Sequence, residues 1–154
     1  MRTIEGTSGV AGLRVAVIVS KYNDFVTDRL QSGAVAALAK AGVPGEQVTI
    51  LKVPGAFEIT LAAMQAARSG RYDAIVCLGC LIRGATSHFE FIASAVSHGI
   101  TSASAQTGVP MSFGVLTTNS VEEAIERAGE GPGNKGWEAA MAAVELAAVI
   151  AQLK

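Results

Sequence analysis

The sequence predicts a three-layer α/β domain: a parallel sheet of four strands with helices on both faces. Two observations carry this. Short apolar runs alternate with longer segments of helical spacing along the whole chain. The runs are also apolar at nearly every position, as strands buried on both faces should be, and not only at alternate ones. A length of 154 residues suits one domain with a single arm-like extension, residues 1–12, that reads as flexible.

The elements follow in order. RVAVIVS (14–20) is the first strand. Residues 24–42 have helical spacing at Phe25, Leu30, Ala34, Leu38 and Ala41, with Gly42 as a stop. QVTILKV (47–53) is the second strand, and 56–70 a helix again closed by glycine. DAIVCLGC (73–80) is the third strand, and a helix lies within 87–108. SFGVLT (112–117) is the fourth strand. In 120–129, Ser120 and Glu123 form a capping box at the start of a short helix. GEGPGNKG then leads to the last helix. Strictly alternating elements of this kind make a doubly wound, flavodoxin-like sheet, whose ligands bind beyond the carboxyl ends of the strands. That rule selects four loops: Ser20–Asp24, Val53–Glu58, Cys80–His88 and Thr117–Ser120.

Composition narrows the function classes. Twelve basic and 13 acidic residues leave a net charge of −1, which gives no electrostatic case for nucleic acid or an anionic membrane. Half the residues are hydrophobic and 16% are charged, with a mean hydropathy of +0.40. Either a membrane span or a subunit buried against copies of itself would explain this. The most apolar helical stretch, Trp137–Leu153, contains Glu138, Glu145 and Gln152, whereas a span needs roughly 18 apolar residues with few charges. An oligomer is therefore expected. MRTIEGTSGVAG has no apolar core of a secretion signal, so the expected location is cytoplasmic.

Each selected loop admits two readings. Tyr22 could stack on a flat heterocycle and Asn23 read its amide edges, or Tyr22 packs on a helix capped by Asp24. Glu58 could accept hydrogen bonds from ligand hydroxyls, or only face a helix dipole. In RGATSHFEF (83–91), Gly84 allows close backbone approach, and Ala85, Thr86 and Ser87 are expected to open a helix whose N–H groups suit an anion. His88 would then sit beside that anion, where it can move a proton near neutral pH. The alternative is capping by Thr86 or Ser87 with His88 merely exposed. Arg127 and Lys135 are cations near helix ends, and His98 reads as structural. Cys77 and Cys80 make a C-x-x-C pattern, but residues three apart on a strand face opposite ways. No second cysteine pair exists to complete a metal site. The glycine-rich 129–136 fails the phosphate-loop pattern because Asn134 precedes Lys135 and Gly136 follows it.

The blocks KYND, VPGAFEI, LGCLIRGATSHFEF, TGVPMSFGVLTT, AIERAG and GNKG, over about residues 4 to 150, resemble the 6,7-dimethyl-8-ribityllumazine synthase family. The resemblance implies condensation of 5-amino-6-ribitylaminouracil with 3,4-dihydroxy-2-butanone 4-phosphate, with release of phosphate and water. It implies neither a cofactor nor a metal. Carried onto this sequence, Tyr22 stacks on the pyrimidine beside Asn23. Ala56 and Phe57 hold substrate through backbone groups, and Glu58 binds ribityl hydroxyls. Cys80, Leu81 and Ile82 line the heterocycle. Gly84, Ala85, Thr86 and Arg127 bind phosphate, and His88 transfers protons. Phe113 closes the ring pocket and Lys135 lies near the phosphate or pyrimidine. Phe113, Arg127 and Lys135 are expected from a neighbouring subunit. Tyr22 stands where the family usually has phenylalanine or tryptophan, Lys21 where arginine is frequent, and Leu81 where valine is usual. Cys80 is an unusual lining residue. These changes bear on affinity, and none removes a catalytic part.

The same resemblance implies pentamers, and for a short connection such as RAGEGPGNKG an icosahedral shell of 60 subunits that can house riboflavin synthase. A free pentamer or decamer is the alternative. Two other classes compete. A receiver-type signalling module would need acidic residues where Ser20-Lys21 and Cys80-Leu81 stand. A non-catalytic shell or flavin-binding relative would be expected to lose His88, Arg127 or Glu58.

Overall fold

The computed structural model of the chain describes residues 1–7 and 9–154, so Ser8 of the expected arm lies outside the described residues. Four strands form one sheet in the order β2-β1-β3-β4: β1 (Val15–Ser20), β2 (Val48–Val53), β3 (Ala74–Ile82) and β4 (Met111–Thr118). All three pairings are parallel. The helices are α1 (Asp24–Lys40), α2 (Ile59–Arg68), α3 (His88–Thr107), α4 (Val121–Arg127) and α5 (Lys135–Leu153). This is the three-layer class that the alternation predicts.

The uninterrupted apolar runs have a direct cause. Val15, Val17 and Val19 of β1 join a core with Leu30 and Leu38 of α1 and Ala140 of α5. Ala16 and Ile18, pointing the other way, join a second core with Ile59 of α2 and Ile100 of α3. Both faces of the strand are buried, so neither can be polar. Burying one such branched side chain contributes about 1.5–3 kcal/mol. Helix α5 is long and apolar enough to pass a composition test for a membrane span. Its small residues Ala139, Ala140, Ala143 and Ala147 are instead packed in the first core.

Three of the boundaries that differ from the sequence expectation bear on the carboxyl end of the sheet. Strand β3 runs to Ile82, because β4 stays in register with it as far as Ile82↔Thr118. Residues Ala56–Glu58 form a single 3₁₀ turn, and α2 begins only at Ile59. Helix α3 begins at His88, so Ala85, Thr86 and Ser87 precede the helix and do not open it. Neither hydroxyl caps it: Ser87 occupies the cap position without a side-chain cap bond. The box at α4 is shifted in detail. Ser120 accepts from the Glu123 N–H at 3.2 Å, while the Glu123 carboxylate accepts from the Asn119 N–H at 3.1 Å, one residue earlier than expected.

The N-terminal segment forms no helix or strand among its described residues and lies along α5. There Gln152 donates to the Glu5 carbonyl at 2.7 Å, and a Cβ on Gly6 would overlap the Glu145 carbonyl oxygen.

Asn134 explains why the glycine-rich turn departs from a phosphate loop. Its side chain is 2% exposed. Its Oδ1 accepts from the N–H groups of Gly136 and Trp137, at 2.7 and 3.1 Å, and so caps α5. Its Nδ2 donates to the carbonyls of Arg29 and Gly129, at 3.1 and 2.8 Å. One buried amide thus joins α1, α5 and the α4–α5 turn with every hydrogen-bonding group satisfied. The helices meet closely enough that a Cβ on Gly136 would overlap the Leu30 carbonyl oxygen. Gly136→Ala should therefore destabilise by at least the ~1–3 kcal/mol usual for overpacking, since the obstacle is backbone. Gly133→Ala, where a Cβ meets nothing within 4 Å, is the control. Urea unfolding should show a lower midpoint for the first variant alone; equal midpoints would contradict the close approach.

Candidate functional site

From β1 the chain crosses to β2 on one side of the sheet, and β3 and β4 lie on the other. The carboxyl ends of β1 and β3 therefore diverge, which is where a doubly wound sheet opens to a ligand. Pairing of β1 with β3 stops at Val19↔Leu78, while pairing of β3 with β4 continues to Ile82↔Thr118. The last residues of β3 thus have a strand on one side only. Cys80 turns its carbonyl to the open side, where the Asn23 side-chain amide donates to it at 2.9 Å. Backbone groups alternate sides along a strand, so the N–H and C=O of Ile82 face the same opening and those of Leu81 face β4. The Arg83 N–H, donating to the Thr118 carbonyl at 2.8 Å, keeps that alternation.

The β1–α1 loop is held against the β2–α2 loop by two backbone bonds. The Lys21 N–H donates to the Val53 carbonyl at 2.8 Å and the Tyr22 N–H to the Pro54 carbonyl at 3.0 Å. Asn23 follows in the left-handed region, with φ 63°. It is the one non-glycine with positive φ among the described residues, a conformation asparagine tolerates better than most. Asn23, not Asp24, takes the cap position of α1, and it makes no side-chain cap bond. Its amide nitrogen commits one N–H to Cys80, and the residue still lines the opening described below. Tyr22 does not pack on α1; its side chain is 72% exposed.

Three of the four selected loops close around the same opening, and Thr117–Ser120 contributes no residue to it. Ala56 is buried beneath the 3₁₀ turn, whereas Phe57 is largely exposed. The first N–H groups of such a turn have no partner within it. Glu58 is exposed at the start of α2. Residues Gly84–Ser87 are exposed and form no regular element. The His88 N–H makes a long bond of 3.4 Å to Thr86 Oγ1, and the exposed imidazole has no side-chain partner among the described residues.

A cavity of about 860 Å³ occupies this opening. Tyr22 and Asn23 form one wall, Ala56, Phe57 and Glu58 another, and Cys80, Leu81 and Ile82 the floor. Gly84, Thr86 and His88 complete it, while Ala85 stands just outside. Phe91 and Ile92 also line it, along with Pro54 and Phe89. Sequence motifs alone do not single these four out, although His88, Phe91 and Ile92 share the i, i+3, i+4 spacing of one helix face. Phe113, Arg127 and Lys135 are elsewhere. They line a second cavity, of about 380 Å³, between β4, α4 and the start of α5. The two cavities share no residue. In the second, Arg127 donates to the Glu123 carbonyl at 3.1 Å, and Lys135 pairs with Glu138 at 2.8 Å. His98 lies outside both and shares a 3.3 Å contact with Ser94. Among the described residues, no group of three or more His, Cys, Asp or Glu is placed to hold a metal ion.

The model of the family described as 6,7-dimethyl-8-ribityllumazine synthase matches residues 12–151. The chain belongs to that family. Two relatives carry the same name. One, from Desulfatibacillum aliphaticivorans, is 49% identical over 153 residues, covering 99% of each chain. The other, from Syntrophus aciditrophicus (strain SB), is 49% identical over 149 residues, covering 97% of each. The resemblance read from the motifs and the family shown by comparison therefore coincide.

Within a lumazine synthase fold, Asn23 and Cys80 invite direct tests. Asn23→Gly keeps the left-handed backbone but loses a bond worth ~0.5–1.5 kcal/mol. Asn23→Ala loses the same bond and adds roughly 1–2 kcal/mol of backbone strain. Thermal or urea unfolding should rank wild type above Gly above Ala; an alanine variant as stable as the glycine one would contradict the strained geometry.

The thiols lie on opposite faces, Cys77 in the second core and Cys80 in the first. Burial alone pushes the Cys77 thiol up to about 12 and the Cys80 thiol up to about 11. At pH 8 about one Cys80 in a thousand would be thiolate, and the thiolate is the reactive form. Iodoacetamide at pH 8 should leave both untouched in the native protein and label both after unfolding. Rapid native labelling would show that the wall around Cys80 opens.

Proposed function

We propose that the chain catalyses the reaction its family is named for, condensing 5-amino-6-ribitylaminouracil with 3,4-dihydroxy-2-butanone 4-phosphate and releasing phosphate and water. The observation that supports this best is the cavity at the switch point. It presents an exposed aromatic ring, an open strand edge, an exposed carboxylate and an exposed imidazole around one space.

Each part suits a step. The pyrimidine lies on Tyr22 with its polar edge against the free backbone of Ile82, and the ribityl hydroxyls donate to Glu58. The phosphate of the second substrate lies against Gly84, Ala85 and Thr86. The primary amine adds to the ketone, water leaves and an imine forms. Loss of a proton then expels phosphate, and the ribityl-bearing nitrogen closes the ring with loss of a second water. His88, beside the phosphate segment, takes and returns these protons. Such help is worth about 10²–10⁴-fold, and holding two substrates together supplies much of the rest.

Arg127 would neutralise the departing phosphate. In one chain it lies on the second cavity, with Phe113 and Lys135. A complete site therefore calls for a second copy whose β4 and α4–α5 region meets the first copy's cavity. Head-to-tail contacts of that kind close into rings. We take the assembly to be a pentamer, with the short α4–α5 connection favouring a 60-subunit shell able to enclose riboflavin synthase, and the location to be cytoplasmic. Exposed Tyr22, Phe57, Leu61 and Phe91 give such a contact its apolar surface.

Purified protein, mixed with both substrates in EDTA, should produce lumazine fluorescence and free phosphate faster than the uncatalysed control. His88→Ala should lose about 10²–10⁴-fold in turnover while keeping the wild-type assembly. Full activity in that variant would remove His88 as the proton-transfer residue; no rate above control in wild type would remove the proposed reaction.

A further inference from the structure

We propose that Arg83 is a positioning residue. With Glu90 it clasps the two ends of the segment 84–88 and so fixes where the phosphate group and the His88 imidazole meet. This rests on the reading of that segment as the phosphate-binding one.

The segment has little order of its own. Gly84–Ser87 belongs to no helix or strand, and a Cβ on Gly84 would meet nothing within 4 Å. Ser87 does not cap α3, and the 3.4 Å bond to Thr86 Oγ1 is longer than a normal hydrogen bond. Its position must be set from its flanks.

Arg83 joins those flanks. Its N–H is fixed to β4 through the Thr118 carbonyl at 2.8 Å. Its Nε donates to Asn119 Oδ1 at 3.0 Å, in the loop after β4. Its Nη1 donates to Glu90 Oε1 in the first turn of α3. The guanidinium also lies over the Phe89 ring, 4.7 Å from the centroid. One planar group thus binds the end of β3, the loop after β4 and the start of α3, and Glu90 is two residues beyond His88. Only a forked cation reaches an amide and a carboxylate at once while stacking on a ring. Arg83 does not line the large cavity, so it acts through the segment and not on the substrate. Both partners are about half exposed. An exposed pair contributes little to global stability, so the effect should be confined to the segment.

The test compares Arg83→Met, Glu90→Gln, the double variant and Arg83→Lys in the assembled protein. Two readouts are needed: amide hydrogen exchange over 84–91 without substrate, and KM for each substrate separately. Each single variant should speed exchange at 84–88 and raise KM for the butanone phosphate about fivefold, with KM for the aminouracil changed less than twofold. The double variant should be no worse than either single one, because both remove the same clasp. Lysine should rescue little. Unchanged exchange, additive losses, or both KM values rising together would overturn the clasp. If the wild type turns over neither substrate, the proposed reaction fails, and the exchange readout still decides whether Arg83 and Glu90 order the segment.

Discussion

The site depends on β3 outrunning β1. In a parallel sheet each interior strand is normally paired along both edges. Here β3 loses its β1 partner after Leu78 but keeps β4 to Ile82. Its last backbone groups would be left without partners, which buried polar groups do not tolerate. Asn23 satisfies the Cys80 carbonyl, at 2.9 Å. Asn23 does so from a left-handed backbone, and the exposed Tyr22 before it lines the same cavity. The carbonyl and N–H of Ile82 stay open to a ligand. A mismatch in strand length thus produces an aromatic platform and a hydrogen-bonding edge side by side.

Much of this is legible in the sequence, and the reason lies in particular residues. VAVIVS has to be buried on both faces, and so has to be an interior strand. With the strict alternation of elements, that places KYND, VPGAFE and RGATSH together at the carboxyl end of the sheet. What stays hidden depends on partners distant in sequence. The end of β3 is set by β4, so Leu81 and Ile82 read as loop. Nothing local reveals the bond from Asn23 to residue 80. Asn134 reads as a failed phosphate loop because its partner Arg29 lies on another helix. Arg83 draws attention only as the first letter of a motif, since Asn119 is 36 positions away.

The start of α3 shows the limit of local rules in another way. Thr86 and Ser87 are good capping residues by type, yet the helix begins at His88 without a side-chain cap. The Arg83 guanidinium and Glu90 hold that turn instead. His88 thus stands in the first turn of a helix, at the cavity wall.

The division of the expected site between two cavities that share no residue leads to the central claim, that one chain holds two halves of different sites. Complementation tests it most directly. His88→Ala and Arg127→Ala proteins, each inactive or nearly so, are dissociated, mixed and reassembled. In random rings about a quarter of contacts would join an intact His88 half to an intact Arg127 half. Activity should therefore recover well above that of either parent. Recovery no greater than the sum of the parents, in assemblies shown to be mixed, would contradict a site shared between copies.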